Sequence, residues 1–354
     1  MNRRSVRLED VAKEAGVSKQ TVSRVLNNPS VVSVATREKV IKSMQVLHYI
    51  SNHAALLLAG KSLPTIGLIS ASLRFHAPSQ IAASIKDYAE ENQYQVAIST
   101  PPAANYPSLQ VLLNEYRAQG IRGVIIGLSV ETDIAEMLVQ ENTDMVCLFL
   151  DVSPEADVSS LCFSHQEGCQ GCVQHLWDLG HREFSLLAGP QDSVAARLRL
   201  KCWRESLHQL GIQNYATVFG DWSARSGWEN TFELLRLNPK LTAIIVASDQ
   251  MALGVLNALE QLNKTAGRHI SVTGFDDTED SAFYRPTLTT VSQNLDELGR
   301  KAIEWIIKLI ANPHQKITST LPTKIVIRQS TFERNAETPY QDAIAQLKKI
   351  VADL

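Results

Sequence analysis

This 354-residue chain has no apolar run approaching the ~18–20 residues that a bilayer-spanning helix needs, which excludes an integral membrane protein. Cysteine is scarce. Five residues, an odd number in a chain of this size, do not read as a disulfide framework, and a reducing cytoplasm is the expected compartment. There is no P-loop, no convincing Gly-rich nucleotide fingerprint and no Gly-x-Ser-x-Gly elbow, so nucleotide chemistry and a serine nucleophile have no recognisable foothold. The N-terminus, Met1 to Asp10, carries positive charges with no apolar stretch behind them and is not expected to be a secretory signal. What the chain does have is apolar content: 44% hydrophobic against 20% charged, enough for sizeable cores in two or three compact units.

Charge is unevenly placed. Residues 1–62 hold ten Lys/Arg and four acids, a net of +6, which leaves the remaining 292 residues at -9. A small basic segment on an acidic body suggests a module for a polyanion. Within it, Leu8, Val11, Ala12 and Ala15 recur at helical spacing, Gly16 can end that helix in the left-handed conformation, and Ser18 can cap a second one. The second helix turns Val22, Val25 and Leu26 inward and leaves Lys19, Gln20, Ser23, Arg24 and Asn27 outside. Lys and Arg can bridge guanine O6 and N7, and Gln can pair with adenine N6 and N7, so this is a helix-turn-helix with base-reading chemistry. An ordinary helical hairpin with a solvated polar face would show the same periodicity. A third helix is expected after Ser33, with Val40, Ile41, Met44 and Leu47 closing the small core. The short alanine- and leucine-rich stretch from Asn52 to Gly60 reads either as a buried connector or as a hinge that orders against a partner and wedges a leucine between base steps.

Beyond the Lys61–Pro64 linker, Thr65–Ser70, Gln95–Ser99, Gly123–Leu128 and Met145–Leu150 read as buried parallel strands, with helical patterns at Ile81–Ala89 and Leu109–Tyr116. The rhythm restarts with Phe184–Leu187, Ala243–Ala247 and Ile270–Gly274, separated by helices near 193–209, 224–236 and 249–262. The fold class is therefore α/β: an N-terminal all-α helix-turn-helix headpiece followed by a two-lobed, doubly wound core. Asp151 and Asp276 end strands, Arg199 lies in a helix after the Gly189-Pro190 turn, and Trp222 can offer an apolar face. Carboxylates and a guanidinium can hold vicinal hydroxyls, and an indole can cover ring carbons. Taken singly, a strand-end Asp is as readily a helix cap and a lone Trp as readily core.

The run LEDVAKEAGVSKQTVSRVLN from Leu8 to Asn27, with Thr36–Val40 and Tyr49–Asn52, resembles the headpiece of the LacI/GalR family of bacterial repressors. His76–Ile81, Leu148–Ser153, Ala196–Leu200, Gly220–Ala224, Asp249–Gly254 and Asp276–Asp280 extend the resemblance over nearly the whole chain, toward the family's lactose-responsive members. The resemblance implies a clam-shell core like that of periplasmic sugar-binding proteins, with three chain crossings near residues 162, 290 and 322. It implies a headpiece over 1–62 with a hinge helix at about 52–60, a sugar-binding and dimerisation core over 63–333 and a tail helix over 338–354. The expected DNA contacts are Lys19, Gln20, Thr21, Ser23, Arg24, Asn27, Ser33 and Thr36, with Asn52, Ala55 and Leu58 from the hinge. The expected sugar contacts are Phe75, Ala77, Ile81, Asp151, Phe163, Arg199, Trp222, Ser248, Asp276 and Gln293. The implied function is repression of a lactose or related galactoside utilisation operon, on a palindromic operator and relieved by a galactoside inducer. No enzyme activity, cofactor or membrane partner is expected.

The match is imperfect. Ala71, Gly127, Ala195, Ser248 and Leu295 stand where lactose-responsive relatives carry Ser, Asn, Ser, Asn and Phe, and Lys19 replaces a base-contacting Tyr. These departures bear on the inducer and the operator sequence, and leave open a family member tuned to another sugar or, less in keeping with the basic head, a sugar-binding protein without a DNA role. Cys162, His165, Cys169, Cys172 and His175 form a tempting zinc set, but buried cysteines behave as small hydrophobes, Gly168 and Gly171 suggest close packing, and no metal is expected. Tyr340, Ile344, Leu347, Val351 and Leu354 follow the 4-3-4-3 spacing of a heptad seam. By resemblance that seam joins two homodimers into a homotetramer.

Overall fold

The computed structural model of the chain describes residues 6–27, 31–47 and 63–334. Two compact units are distinguished, Met1–Leu63 and Pro64–Leu354. The first contains α1 (Leu8–Ala15), α2 (Lys19–Asn27) and α3 (Val34–Val46). Val11, Ala12, Ala15, Val22, Val25 and Val40 make its core. Gly16, at φ +61°, ends α1 and lets the Val17 N–H reach back to the Ala12 carbonyl at 3.0 Å. The Ser18 hydroxyl accepts the Thr21 N–H at 3.1 Å at the head of α2, and Ser33 accepts the Thr36 N–H at 3.4 Å at the head of α3. One expectation fails: Ile41 is 44% exposed. Val40, Met44 and Leu47 form the inward stripe at 4- and 3-residue steps, and Ile41 is turned about 100° away from it.

The second unit begins with β1 (Thr65–Ser70), α4 (His76–Glu91), β2 (Gln95–Ser99), α5 (Tyr106–Ala118), β3 (Gly123–Val130), α6 (Thr132–Glu141), β4 (Val146–Val152) and β5 (Ser160–Phe163). It continues with α7 (His165–Asp178), β6 (Phe184–Ala188), α8 (Val194–Gln209), β7 (Ala216–Phe219), α9 (Ala224–Leu237), β8 (Ala243–Val246), α10 (Asp249–Gln261) and β9 (Ser271–Thr273). A 3-10 turn (Glu279–Phe283), β10 (Thr290–Gln293), α11 (Leu295–Ala311), β11 (Thr318–Leu321) and β12 (Thr323–Val326) complete it. One sheet runs β11-β5-β4-β3-β1-β2 and the other β7-β6-β8-β9, both parallel, and β10 pairs antiparallel with β12.

The first sheet is apolar on both faces because helices cover both. Alternate residues separate cleanly: Ile66, Leu68, Ile125 and Leu148 join the α11 side with Ile303 and Ile306, whereas Val124, Ile126 and Phe149 join the α5 side with Leu109, Leu113 and Tyr116. The second lobe packs around Trp203, Phe184 and Phe275. β2 departs from its expected burial, with Ile98 42% exposed, because it is the edge strand. The chain crosses between lobes after β5, between β10 and α11, and between β11 and β12.

Gly168 on α7 is a tight-packing position, since a Cβ there would lie 2.3 Å from Val291 and 2.6 Å from Thr323. Gly171 has only ordinary contacts at 3.6 Å and is not one. Cys169 and Cys172 are buried in the second lobe's core, and among the described residues no group of three His, Cys, Asp or Glu is arranged to hold a metal ion. No described helix is long and apolar enough to cross a membrane.

Candidate functional site

On the headpiece, α2 buries Val22 and Val25, and helical periodicity then turns Lys19, Gln20 and Arg24 outward, where all three are exposed. Thr21 and Ser23 are half-buried on the flank, and the Thr21 hydroxyl bonds Ser18 at 2.9 Å. The Ser33 and Thr36 hydroxyls bond each other at 2.8 Å beside the α3 cap. Lys19 Nζ donates to Glu9 Oε1 at 2.7 Å. That bond, with the charge behind it, holds the Glu9 carboxyl below its ordinary range. Both partners are exposed, so the pair is weak and screened by salt. Asn27 ends α2. Asn52, Ala55, Leu58, Tyr340, Ile344, Leu347, Val351 and Leu354 lie outside the described residues.

In the second unit a cleft of 960 Å³ lies between the two lobes, at the carboxyl ends of their strands. All ten residues expected at a sugar site line it, although they are spread from position 75 to 293. Phe75, Ala77 and Ile81 come from the start of α4, Asp151 from β4, Phe163 from β5 and Arg199 from α8. Trp222 and Ser248 precede α9 and α10, Asp276 follows β9, and Gln293 ends β10. Ala71, Gly127, Ala195 and Leu295 line it too.

Arg199 is the electrostatic centre. Only 6% exposed, it stacks its guanidinium 3.8 Å above the Phe275 ring. Its Nη1 donates to the Ala247 carbonyl at 2.6 Å and stands 3.5 Å from Asp276 Oδ1. Gln293 Nε2 donates to the same Asp276 oxygen at 2.7 Å. Asp276 has φ 111° and Trp222 φ 72°, backbone conformations that cost energy outside glycine and that often mark binding loops. Gly189 makes room for the indole, because a Cβ there would lie 2.4 Å from the Trp222 ring. On the opposite wall the Ser129 hydroxyl donates to Asp151 and accepts the Val194 N–H at 3.3 Å. Ser248 Oγ accepts the Met251 N–H at 3.2 Å, which leaves its own proton for another acceptor.

Burial pushes the Asp151 and Asp276 carboxyls upward, against the pull of Arg199 on each and of Ser129 on Asp151 and Gln293 on Asp276. Burial, followed by the Arg199 charge, holds the His165 imidazole well below its ordinary value and so neutral. His165 Nδ1 and Arg199 Nε are buried nitrogens with no hydrogen-bond partner among the described residues. Charged acceptors and donors over aromatic and aliphatic walls suit a polyhydroxylated ring, whose hydroxyls can both donate and accept.

The model for bacterial regulatory proteins of the lacI family matches residues 7–52, and that for a periplasmic binding protein-like domain matches residues 173–331. The chain is 56% identical to the lactose operon repressor of Klebsiella pneumoniae, over 100% of both chains. It is 42% identical to the lactose operon repressor of Escherichia coli (strain K12), over 96% of this chain and 94% of that one. This chain belongs to the LacI family. Among solved structures, the lac repressor dimer bound to operator and the anti-inducer ONPF has a TM-score of 0.84 at 42% identity, covering 93% of this chain and 100% of that one. Lac repressor bound to ONPG in the repressed state has the same TM-score, identity and coverage.

Within this LacI-family cleft, Ser129, His165 and Ser193 also stand at the wall and were not foreseen as site residues. Ser129 sits at the end of an apolar strand and Ser193 caps α8, so each looks structural in sequence. His165 reads in sequence as one of a tempting zinc set and as part of the Phe163–His165 segment at a lobe crossing, where Phe163 is the residue expected to touch ligand.

Proposed function

We propose that this chain is a sugar-responsive transcriptional repressor of a lactose utilisation operon, released from a palindromic operator by a galactoside. It acts in the cytoplasm as a homodimer that the tail joins into a homotetramer, and it neither consumes the sugar nor uses a cofactor. The observation that carries this reading is the joint presence of an outward Lys19-Gln20-Arg24 face and a cleft where Arg199, Asp276 and Gln293 form one hydrogen-bonded set. Lys19, Gln20 and Arg24 read base edges in the major groove, Thr21, Ser23, Asn27, Ser33 and Thr36 fix register on the backbone, and Asn52, Ala55 and Leu58 form the hinge with Leu58 as the minor-groove wedge. In the cleft Phe75, Ala77, Ile81, Phe163 and Trp222 cover ring carbons, while Asp151, Arg199, Ser248, Asp276 and Gln293 hold hydroxyls.

Induction follows from differential affinity: a galactoside that binds one lobe arrangement more tightly shifts the population away from the operator-binding state, whereas equal affinity for both would release nothing. The galactoside is favoured over other sugars because the charged set is intact and the departures at Ala71, Gly127, Ala195 and Leu295 remove bulk or polarity around it rather than adding a clash. The test is operator binding across a salt series and a sugar panel. Affinity for the upstream DNA should fall steeply with salt as counterions are released, and a galactoside, recovered unchanged, should release the protein. A flat salt response refutes the DNA assignment, and release by a non-galactoside alone refutes the inducer.

A further inference from the structure

We propose that Asp249 is a positioning residue of the cleft: its buried carboxyl holds the Asp276 loop against strand β10 and so sets the geometry in which Asp276, Arg199 and Gln293 meet a sugar. The inference rests on the galactoside reading above. Asp249 opens α10, is 0% exposed, and does not itself line the cleft. Its N–H donates to the Phe275 carbonyl at 2.7 Å, and its Oδ2 accepts the Thr278 N–H at 2.8 Å. One residue therefore grips the loop on both sides of Asp276 and Asp277, which stand at φ 111° and 57°. Such a conformation persists only where its surroundings over-determine it.

The third contact reaches β10, where the Thr290 hydroxyl donates to Asp249 Oδ1 at 2.5 Å. The same strand carries Gln293, the Asp276 partner, and its Val291 carbonyl accepts the Asp276 N–H at 2.8 Å. Phe275, held by the Asp249 N–H, is the ring beneath Arg199. Gly274 lets the carboxyl approach, since a Cβ there would lie 2.2 Å from Asp249 Oδ1. The charged and titratable groups around Asp249 are Asp276 and Asp277 on the loop, Tyr284 after the 3-10 turn, Arg199 on α8, and Arg328, which is bonded to Asp277 at 2.6 Å. Burial first and the Asp276 charge second push the Asp249 carboxyl up to about 8. Near neutrality the group is thus protonated, and ionisation at higher pH places a second anion beside Asp276, opposing the charged form that accepts a sugar hydroxyl.

The experiment titrates the full-length protein with o-nitrophenyl galactoside by calorimetry from pH 6.5 to 9 and records Tm for each variant. The unaltered protein should lose affinity as pH passes about 8. Asp249→Asn can accept from Thr278, and its amide can donate to Thr290 once that hydroxyl rotates to accept, so it should bind within about threefold of the unaltered protein at pH 7 and lose the alkaline decline. Thr290→Val, losing one hydrogen bond, should bind about threefold to tenfold more weakly, and Asp249→Ala, which orphans the Thr278 N–H, about tenfold to a hundredfold. Thr290→Val and Asp249→Asn decide the matter where Asp249→Ala fails to fold. An Asp249→Asn profile that keeps the alkaline decline, or a Thr290→Val protein with unchanged affinity, overturns the positioning role. A lowered Tm with unchanged affinity overturns it equally, as that is the mark of a purely structural contact. An unaltered protein that binds no galactoside at any pH overturns the cleft reading itself.

Discussion

Removing the Arg199 side chain separates the sugar cleft from everything else the chain does. In Arg199→Ala the Ala247 carbonyl loses its donor at 2.6 Å, Phe275 loses the guanidinium stacked at 3.8 Å, and Asp276 loses the cation 3.5 Å away. Breaking a buried pair by deleting one partner costs about 3–5 kcal/mol. Here the lower end applies, because Asp276, already pushed upward by burial, can take a proton instead of remaining a bare anion. A loss of about 3 kcal/mol, set against an unfolding entropy of ~2.1 cal/mol/K per residue across Pro64–Leu354, lowers Tm by roughly 5 °C. Galactoside affinity falls by about 10- to 150-fold, the equivalent of one hydrogen bond to a charged group at about 1.5–3 kcal/mol. Operator affinity without sugar is unchanged, because the DNA-reading face belongs to the other compact unit. Calorimetric titration with a galactoside, together with fluorescence anisotropy on labelled operator with and without it, measures both quantities. An Arg199→Ala protein released from operator at the same galactoside concentration as the unaltered protein would refute the assignment of Arg199 to the cleft.

Three further outcomes are expected. Gly254→Ala drives a Cβ to 1.9 Å from the Ala224 carbonyl oxygen and 2.6 Å from the Trp228 N, both backbone atoms, where α9 and α10 touch. It should destabilise the protein by about 3 kcal/mol or more, and an unchanged urea midpoint would count against that close approach. Burial lowers the His181 imidazole to about 4, despite its bond to the Phe332 carbonyl. Its neutral ring therefore supports the fold fully above about 6.5, and up to about 3 kcal/mol is lost as pH falls from 6.5 through 4. His181→Gln should flatten that acid limb, and an equally steep decline in urea-unfolding free energy would show that other groups cause it. Truncation before Pro339 should halve the mass measured by sedimentation equilibrium; an unchanged mass would remove the heptad seam from tetramer assembly.

What was legible in the sequence follows from where burial is uniform. β1, β3, β4, β6 and β8 are apolar on both faces, so Thr65–Ser70 and Ala243–Val246 announce themselves as continuous runs. The headpiece was legible because its whole core is local: Val11, Ala15, Val22, Val25 and Val40 lie within thirty residues. By contrast β10, β11 and β12 are four-residue strands rich in Ser and Thr, too short to show a period, and they exist because they pair across the lobe crossings. The exposure of Ile98 and Ile41 was equally illegible, since an edge position and a helix's rotation about its axis are settled by neighbours elsewhere in the chain. At the cleft, residue types named the chemistry, but Ser129 and Asp249 each look like an ordinary structural residue until their partners 22 and 41 positions away are in place.

The sequence by itself therefore determined a base-reading helix, an α/β body and the kind of side chains available for a sugar, because local periodicity and side-chain chemistry are properties of short segments. Only the tertiary structure decided that residues from 75 to 293 share one cleft, that Asp151 and Asp276 within it rise with burial, and that a residue outside it grips the Asp276 loop. Desolvation and hydrogen bonding between distant segments arise only once the chain crosses between its lobes, and no local pattern encodes them.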